Sequence, residues 1–139
     1  MLTNQASCKW CDHDGETLAS NASHYMVDKP HQTHPAVLVV SRRHVKSPFE
    51  MTPNEWQDLG EMLENARTWL AKFEPDGFTV GWNVGAAGGQ HVFHAHIHVI
   101  CRFAGEPHAE RGLRDFVLRC RLKSAEYGKI RRSSSVPNR

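Results

Sequence analysis

The segment GGQHVFHAHIHVICR, residues 88–102, decides how the rest of the chain must fold. From His94 to His98 every second residue is a histidine, and the residues between and after them are apolar. Side chains alternate between the two faces of a β-strand, so this pattern predicts a strand over residues 94–102. The three histidines would share one face, while the intervening apolar residues pack into a core.

Three further segments have the composition of strands. HYMVD (24–28) alternates, AVLVVS (36–41) is β-branched and apolar, and FTVGWNVG (78–85) alternates again. The first 23 residues are polar and carry a C-x-x-C pair, which predicts an irregular arm. Several strands are therefore available to pair with the histidine segment.

One long helix is predicted to begin between the second and third of these segments. Thr52 is a good N-cap, Pro53 suits the first helical position, and Glu55 completes a capping box. An apolar stripe at three- and four-residue spacing predicts the core-facing side: Trp56, Leu59, Leu63, Ala66, Leu70 and Phe73. A shorter C-terminal helix is predicted within residues 113–120. Strands and helices without regular alternation indicate an α+β domain built on an antiparallel sheet.

The bulk properties limit the class of protein. The length of 139 residues fits one domain, which we expect over residues 1–125, followed by a disordered basic tail over residues 126–139. A net charge of +2 is too small to favour nucleic acid as a partner. No apolar run approaches the roughly 20 residues that cross a bilayer, and the N-terminus lacks a signal-peptide core. A cytoplasmic protein without a membrane partner is expected.

Three imidazoles on one face allow two kinds of chemistry. They can hold a metal ion, or one can act as a nucleophile while its neighbours bind an anionic substrate. Residues four apart on a strand are separated by about 13 Å, so His94 and His98 would not readily share one zinc ion. The loop AAGGQ (86–90) can bring backbone N–H groups close to an anion. A polyphosphate, with charged oxygens in a row, suits this arrangement.

These residues resemble the signature of the histidine-triad (HIT) family. The segment HAHIHVI (94–100) is similar to the whole family pattern, in which histidines alternate with apolar residues. WNVGAAGGQHVFH (82–94) resembles the family's Asn-x-Gly…Gly-Gln segment, and RFAGEPHAERGLR (102–114) resembles a Pro-Arg-Gly-Gly-x-Arg segment. The resemblance covers roughly residues 8–114. It implies a HIT fold, an antiparallel sheet with a long helix, paired in a homodimer.

The resemblance also implies a nucleotidyl hydrolase or transferase. His96 would attack the α-phosphorus of a nucleoside phosphate derivative, such as an adenosine-containing dinucleoside polyphosphate or a phosphoramidate. For this His96 must be neutral, and a hydrogen bond from its other ring nitrogen to the His94 carbonyl would fix the tautomer. The implied substrate contacts are Asp28, Asn83, Gly89, Gln90 and His98. No metal is required at the triad, and a non-catalytic nucleotide-binding or partner-binding module is the alternative.

Two positions depart from the family pattern. Many relatives carry a further histidine where this chain has Ala36, and His31 and His34 are near but out of register. His91 stands where relatives have a serine or threonine that touches the scissile phosphate. An imidazole there would either donate a proton to the leaving group, as a third catalytic residue, or narrow the pocket. The leaving group is therefore left open.

The C-x-x-C pair is by itself compatible with a metal site, a redox function or neither. A zinc-containing subgroup resembling this chain combines such a pair with a histidine after the basic turn SRRH and the first triad histidine. The implied ligands of a structural Cys₂His₂ zinc site are Cys8, Cys11, His44 and His94. His13 is the rival of His44. If His94 serves the zinc site, the other two triad histidines stay available for phosphate, whereas a catalytic metal held by the triad is a third reading.

Overall fold

The computed structural model describes residues 7–31 and 33–115. Within them lie five strands and one long helix: β1 (Ala19–Ser20), β2 (His24–Asp28), β3 (Ala36–Ser41), α1 (Pro53–Leu70), β4 (Gly77–Gly81) and β5 (His96–Arg102). Short 3₁₀ turns at Pro48–Glu50 and Ala71–Phe73 flank α1. All strand pairs are antiparallel, in the order β1-β2-β3-β5-β4. The predicted α+β class, with an antiparallel sheet and one long helix, is confirmed.

The strand boundaries agree with the sequence pattern where a strand is buried on both faces. β2 and β3 occupy the predicted residues. β4 ends at Gly81 instead of residue 85, because the chain turns into the glycine loop. β5 begins at His96, two residues later than predicted, and the short β1 was not predicted at all.

β3 and β5 lie at the centre of the sheet and define its two faces. Four of their apolar side chains pack beneath α1: Val37, Val39, Ile97 and Val99. Burial of a side chain of this size stabilises the fold by roughly 1.5–3 kcal/mol. Leu38 and Val40 project to the other face, where they lie opposite His98 and His96 in the register. The alternation in β5 therefore separates the core from the histidine face.

The helix α1 begins as predicted. The Thr52 side chain accepts a hydrogen bond from the Glu55 N–H at 3.2 Å, and the Glu55 carboxylate accepts one from the Thr52 N–H at 3.2 Å. Its buried apolar residues are Leu59, Met62, Ala66 and Leu70. The predicted stripe was wrong at its two ends, since Trp56 is 46% exposed and Phe73 is 40% exposed. Trp56 instead packs edge-on against Trp82.

The N-terminal arm lies on the opposite face of the sheet from α1. Trp10 is buried there in a second apolar cluster with Tyr25, Val27, Leu38 and Val40. The Tyr25 hydroxyl donates a hydrogen bond of 2.5 Å to the Trp10 carbonyl. This arrangement brings the arm, and with it the cysteine pair, close to the histidine face.

The chain forms two compact units, Met1–Ala109 and Glu110–Arg139. Only residues 110–115 of the second unit are described. The predicted C-terminal helix lies largely outside the described residues, and the predicted tail over residues 126–139 lies wholly outside them. The domain boundary at residue 125 stays a prediction. In the described part of the chain, no helix has the length and apolar character needed to cross a bilayer.

Candidate active site and metal-ligand cluster

His96 and His98 project from the face of β5 that α1 does not cover. Both are half-buried, and their ring centroids lie 5.3 Å apart. The residue opposite His98 on β4 is Gly81, which has no side chain to fill the space beside the imidazole. The sheet therefore presents two neighbouring imidazoles on a partly exposed surface that a substrate can reach.

The hydrogen bonding of His96 defines its tautomer. Its Nδ1 lies 2.8 Å from the backbone carbonyl oxygen of His94. Because a carbonyl oxygen only accepts hydrogen bonds, Nδ1 carries the hydrogen and Nε2 of the neutral ring keeps its lone pair. This is the form that a nucleophilic imidazole requires.

His98 has a different environment. Burial, together with repulsion from the His96 and His31 rings, lowers the pKa of His98 to about 4. The His98 ring is therefore neutral at pH 7. Its Nδ1 lies 3.2 Å from Nε2 of His31, which belongs to the loop between β2 and β3. The triad thus has an additional histidine beside it.

Trp10 reaches the same region from the N-terminal arm. Trp10 is 6% exposed, and the centroid of its ring lies 5.9 Å from that of His96. The indole therefore lies beside the His96 imidazole, with the two ring planes tilted by 44°. Because Cys8 and Cys11 flank Trp10 in the sequence, whatever fixes the two cysteines also fixes the indole.

The glycine loop after β4 is held together by the side chain of Gln90. Its Nε2 donates to the carbonyls of Lys46 and Val92 at 2.7 and 3.1 Å, and its Oε1 accepts from the Gly85 N–H at 2.9 Å. Gly85 and Gly89 have φ values of 72° and 88°, which glycine adopts without strain. The Gln90 amide is thus used inside the protein, and its contact with a substrate stays a prediction.

The other predicted substrate contacts lie around this centre. A Cβ placed on Gly89 would lie 3.8 Å from Cγ of Asn83, so these two residues are neighbours. His91 is exposed at the end of the loop. Asp28 is exposed at the end of β2, and β3 lies between it and β5. Among the described residues no hydrogen bond joins the side chains of Asp28, Asn83 or His91 to a triad histidine, and their contacts with a substrate stay predictions.

Four side chains form a cluster next to the triad: Cys8, Cys11, His44 and His94. Their ligand atoms all lie within 4.8 Å of one another. The Cys11 Sγ is 3.1 Å from Nδ1 of His44 and 3.5 Å from Nδ1 of His94, and these two nitrogens are 3.2 Å apart. A tetrahedral ion with Zn–S and Zn–N bonds of about 2.3 and 2.0–2.1 Å would separate its ligands by about 3.3–3.8 Å. The four residues therefore fit a tetrahedral metal site.

The chemistry of the cluster agrees with its spacing. Nε2 of His94 lies 2.6 Å from the Ser41 carbonyl oxygen, so Nε2 carries the hydrogen and the Nδ1 lone pair faces the cysteines. Burial lowers the pKa of His94, which favours the neutral ring that a metal requires. Burial and the adjacent Cys8 raise the pKa of Cys11 to about 11, so its thiol keeps a proton unless a cation stabilises the thiolate.

His13, the rival ligand, is not part of this cluster. Its ring is stacked on Tyr25, with centroids 5.3 Å apart and an interplanar angle of 12°. Sequence reasoning missed the contacts of Trp10 and His31 with the triad. The position of Trp10 between the two cysteines was an available signal, because ligands of one site bring the residues between them close. His31 gave no such signal, since its contact depends on the conformation of a turn.

Comparison with known proteins agrees with the fold and with the histidine pattern. The solved structures similar to this chain include a hypothetical histidine triad nucleotide-binding protein from Sulfolobus tokodaii strain7, with a TM-score of 0.63 and 19% identity, covering 71% of each chain. A Zn-bound histidine triad family protein from Mycobacterium smegmatis has a TM-score of 0.60 and 20% identity, covering 92% of this chain and 98% of that one. Plasmodium falciparum diadenosine triphosphate hydrolase has a TM-score of 0.59 and 21% identity, covering 65% and 63%.

Similarity at this level of identity establishes the HIT-like fold. No curated protein matches the chain significantly. The family model of the HIT domain matches residues 17–105, which is more than half of the chain and includes the whole histidine pattern. The chain therefore belongs to the histidine-triad family.

Proposed function

We propose that this protein is a nucleotide hydrolase or transferase that acts at the α-phosphorus of nucleoside phosphate derivatives through His96. The observation that carries the proposal is the hydrogen bond from Nδ1 of His96 to the His94 carbonyl, 2.8 Å long, which leaves Nε2 with a lone pair. The names of similar structures, a histidine triad nucleotide-binding protein and a diadenosine triphosphate hydrolase, support the same class of substrate.

The reaction would proceed in two displacements at phosphorus. Nε2 of His96 forms a bond to the α-phosphorus, and the bond from phosphorus to the leaving group breaks with its electron pair. The leaving group then takes up a proton, for which the exposed His91 is the predicted donor. In the second step the oxygen of water or of another acceptor bonds to phosphorus and loses its proton, and the bond from phosphorus to Nε2 breaks with its electron pair returning to Nε2, so His96 is regenerated. Dinucleoside polyphosphates and adenosine phosphoramidates are the substrate classes that we favour.

His98 would bind the phosphate oxygens during both steps. It lies on the same face as the nucleophile, with ring centroids 5.3 Å apart, and it is neutral at pH 7. A neutral imidazole can still donate one N–H to an anionic oxygen, without the cost of burying a charge when the site is empty. We place no metal at His96 or His98.

We propose that the cluster of Cys8, Cys11, His44 and His94 binds a structural zinc ion. Bound zinc would stabilise both thiolates and tie the N-terminal arm to the sheet. The chain's own contribution is the placement of the arm: Trp10, between the two cysteines, lies against His96, and the His94 carbonyl accepts the His96 hydrogen bond. The site would therefore support the nucleophile without taking part in the phosphorus chemistry.

We also propose a homodimer formed at the edge of the sheet. Among the described residues β4 is an edge strand, and the backbone groups along such an edge can bind another strand. Phe78 and Val80 on this strand are 36% and 42% exposed, on the face that continues the core beneath α1. Apolar residues at this level of exposure, next to a free strand edge, favour burial against a second copy of the chain.

The enzymatic proposal is tested with the wild type and a His96→Asn variant. Each protein is incubated with a fluorogenic adenylyl phosphoramidate and with diadenosine polyphosphates. We expect turnover by the wild type and a loss of at least about a thousandfold in the variant. Mass spectrometry of quenched reactions should detect a nucleotidyl adduct on the peptide that contains His96.

Equal and negligible turnover by both proteins would refute the enzymatic proposal. Binding of AMP without turnover would then favour the alternative, a non-catalytic nucleotide-binding module.

A further inference from the structure

The loop between β2 and β3 holds a histidine over the triad by means of a closed turn. The His31 N–H donates to the His34 carbonyl at 2.9 Å, and the His34 N–H donates to the His31 carbonyl at 2.8 Å. The Lys29 N–H donates to the Ala36 carbonyl at 3.0 Å, where β3 begins. These three hydrogen bonds tie the backbone of His31 to that of His34 and hold both close to the start of β3, although the His31 side chain is exposed.

The turn is also anchored to the far end of β5. Nε2 of His34 lies 2.7 Å from the Glu106 carboxylate, which pairs with Arg102 and accepts a hydrogen bond from the Phe103 N–H at 3.0 Å. The hydrogen bond from Arg102 is the main reason that the pKa of Glu106 is lowered to about 2. Glu106 is therefore charged at neutral pH, where its carboxylate can accept the hydrogen bond from His34.

Ala36 occupies the start of β3, on the same face of the sheet as His96 and His98, and has no imidazole. Ala36 is fully buried and pairs with Ile100 of β5, so the start of β3 contributes no imidazole to the histidine face. His31 supplies one from five residues earlier in the chain. Its Nε2 lies 3.2 Å from Nδ1 of His98, and the two ring centroids are 5.2 Å apart.

We propose that His31 is a positioning residue for His98: Nε2–H of His31 donates a hydrogen bond to Nδ1 of His98, which leaves Nε2–H of His98 as the donor to substrate phosphate. This inference rests on the proposed function of the triad. It assigns opposite tautomers to two neighbouring histidines. His96 keeps a lone pair on Nε2 for attack on phosphorus, whereas His98 keeps a hydrogen there to hold an oxygen.

The direction of the hydrogen bond follows from the chemistry of the ligand. If Nδ1 of His98 donated to His31, Nε2 of His98 would present a lone pair to the phosphate, whose anionic oxygens only accept hydrogen bonds. A doubly protonated His98 would need no such partner, but burial keeps the His98 ring neutral at pH 7. His31 can donate from Nε2 both in its Nε2–H tautomer and when it is protonated. The neutral ring of His98 therefore needs the neighbour that the turn provides.

The tautomer is tested by NMR on the full chain labelled with ¹⁵N-histidine, without substrate and at pH 7.5. The signals of His98 are assigned from their loss in His98→Gln. We expect an unprotonated, hydrogen-bonded Nδ1 and a protonated Nε2 in the wild type. In His31→Ala the Nδ1 signal should move toward the position of a free ring nitrogen. A protonated Nδ1 in the wild type, or an unchanged His98 spectrum in His31→Ala, would overturn the assignment.

Binding of AMP, measured by calorimetry, supplies the functional readout. We expect His31→Ala and His31→Phe to weaken AMP binding about tenfold, the usual effect of one lost hydrogen bond. His31→Gln, whose amide can donate, should recover much of the loss, whereas Phe restores only packing. His108→Gln is the matched control, since this exposed histidine lies outside the triad, and it should bind AMP as the wild type does.

The outcomes separate this inference from the proposed function. The NMR and AMP measurements require no turnover, so they can support the role of His31 even if wild type and His96→Asn prove equally inactive. Conversely, an active wild type together with unchanged AMP binding in His31→Ala would leave the proposed function intact and overturn the role of His31. Equal binding by the Gln and Phe variants would also contradict it, because it would show that only ring packing matters.

Discussion

A methyl group added at Gly88 should disrupt the loop beside the triad. A Cβ built on this residue would lie 2.2 Å from the carbonyl oxygen of Val84, whereas ordinary contacts of a Cβ are 3.4–4 Å. The Val84 oxygen is a backbone atom, so it cannot rotate away as the end of a flexible side chain can. The backbone of Val84 or Gly88 must therefore move by about 1 Å. Two hydrogen bonds close the loop, from the Gly88 and Gln90 N–H groups to the Gly85 carbonyl, at 3.1 and 3.0 Å. A backbone movement of about 1 Å is large enough to disrupt both of them.

The expected magnitude follows from these contacts. Loss of one to three loop hydrogen bonds, each worth about 1 kcal/mol net, predicts that Gly88→Ala lowers the free energy of unfolding by about 1–3 kcal/mol. For a chain of this length that corresponds to a Tm lower by about 3–10 °C. A displacement of about 1 Å near reacting groups can cost as much as a hundredfold in rate. We therefore expect kcat/KM for an adenylyl phosphoramidate to fall by about 10–100-fold.

Gly60→Ala is the matched control. Gly60 lies within α1, and a Cβ there would meet no atom within 4 Å. Alanine in a helix interior is about 1 kcal/mol more favourable than glycine, so this variant should raise Tm by a few degrees and leave kcat/KM unchanged. Thermal unfolding by circular dichroism and steady-state kinetics measure both quantities. A Gly88→Ala protein with the Tm and kcat/KM of the wild type would refute the reasoning.

Three further predictions address the metal, pH and assembly. Cys11→Ser should abolish the stoichiometric zinc expected by elemental analysis, whereas Cys101→Ser, at a buried cysteine outside the cluster, should retain it. The pKa of His98 is about 4 in the folded chain and 6.5 ordinarily, so only the unfolded chain gains this proton between those pH values. The free energy of unfolding of the wild type should therefore decrease as the pH falls from 6.5 toward 4. Over the same pH range the urea midpoint of His98→Gln should decrease less than that of the wild type. Phe78→Asp should give monomers in sedimentation experiments, whereas Phe49→Asp, at a residue 86% exposed, should not; a dimeric Phe78→Asp protein would contradict an interface at β4.

The sequence predicts the elements whose signals are local. β2 and β3 are apolar runs bounded by turn residues, and the capping box at Thr52 depends only on the residues up to Glu55. Where tertiary contacts decide, the prediction fails. β1 is two residues long and exists because Ala19 pairs with Met26. Trp56 has the helical spacing of a core residue, but the buried face of α1 passes through Glu55 and Leu59, and Trp56 is left 46% exposed.

The same distinction applies to the candidate site. The alternation in β5 placed His96 and His98 on one face, because strand geometry alone determines it. Periodicity did not indicate that Nε2 of His31 would lie 3.2 Å from Nδ1 of His98. That contact depends on the turn closed by His31 and His34 and on the bond between His34 and Glu106. Gln90 matched a pattern for substrate contact, and the pattern did not indicate that its amide also bonds the Gly85 N–H and the Lys46 carbonyl. A motif thus indicates which residues gather at a site more reliably than what each of them contacts.

His94 connects the two halves of the site. Nδ1 of its ring faces the cysteine cluster, Nε2 is bound to the Ser41 carbonyl at 2.6 Å, and its own carbonyl accepts the hydrogen bond that defines the tautomer of His96. Because His94 is fully buried and its Nε2 is held by the Ser41 carbonyl, we expect a movement of its ring to shift this carbonyl as well. If zinc holds the ring, loss of the metal should therefore disturb His96 through the backbone and through Trp10 together. On this argument Cys11→Ser should lower kcat/KM even when thermal unfolding shows that the domain is still folded. An unchanged kcat/KM in a metal-free, folded variant would show that the sheet alone holds His94.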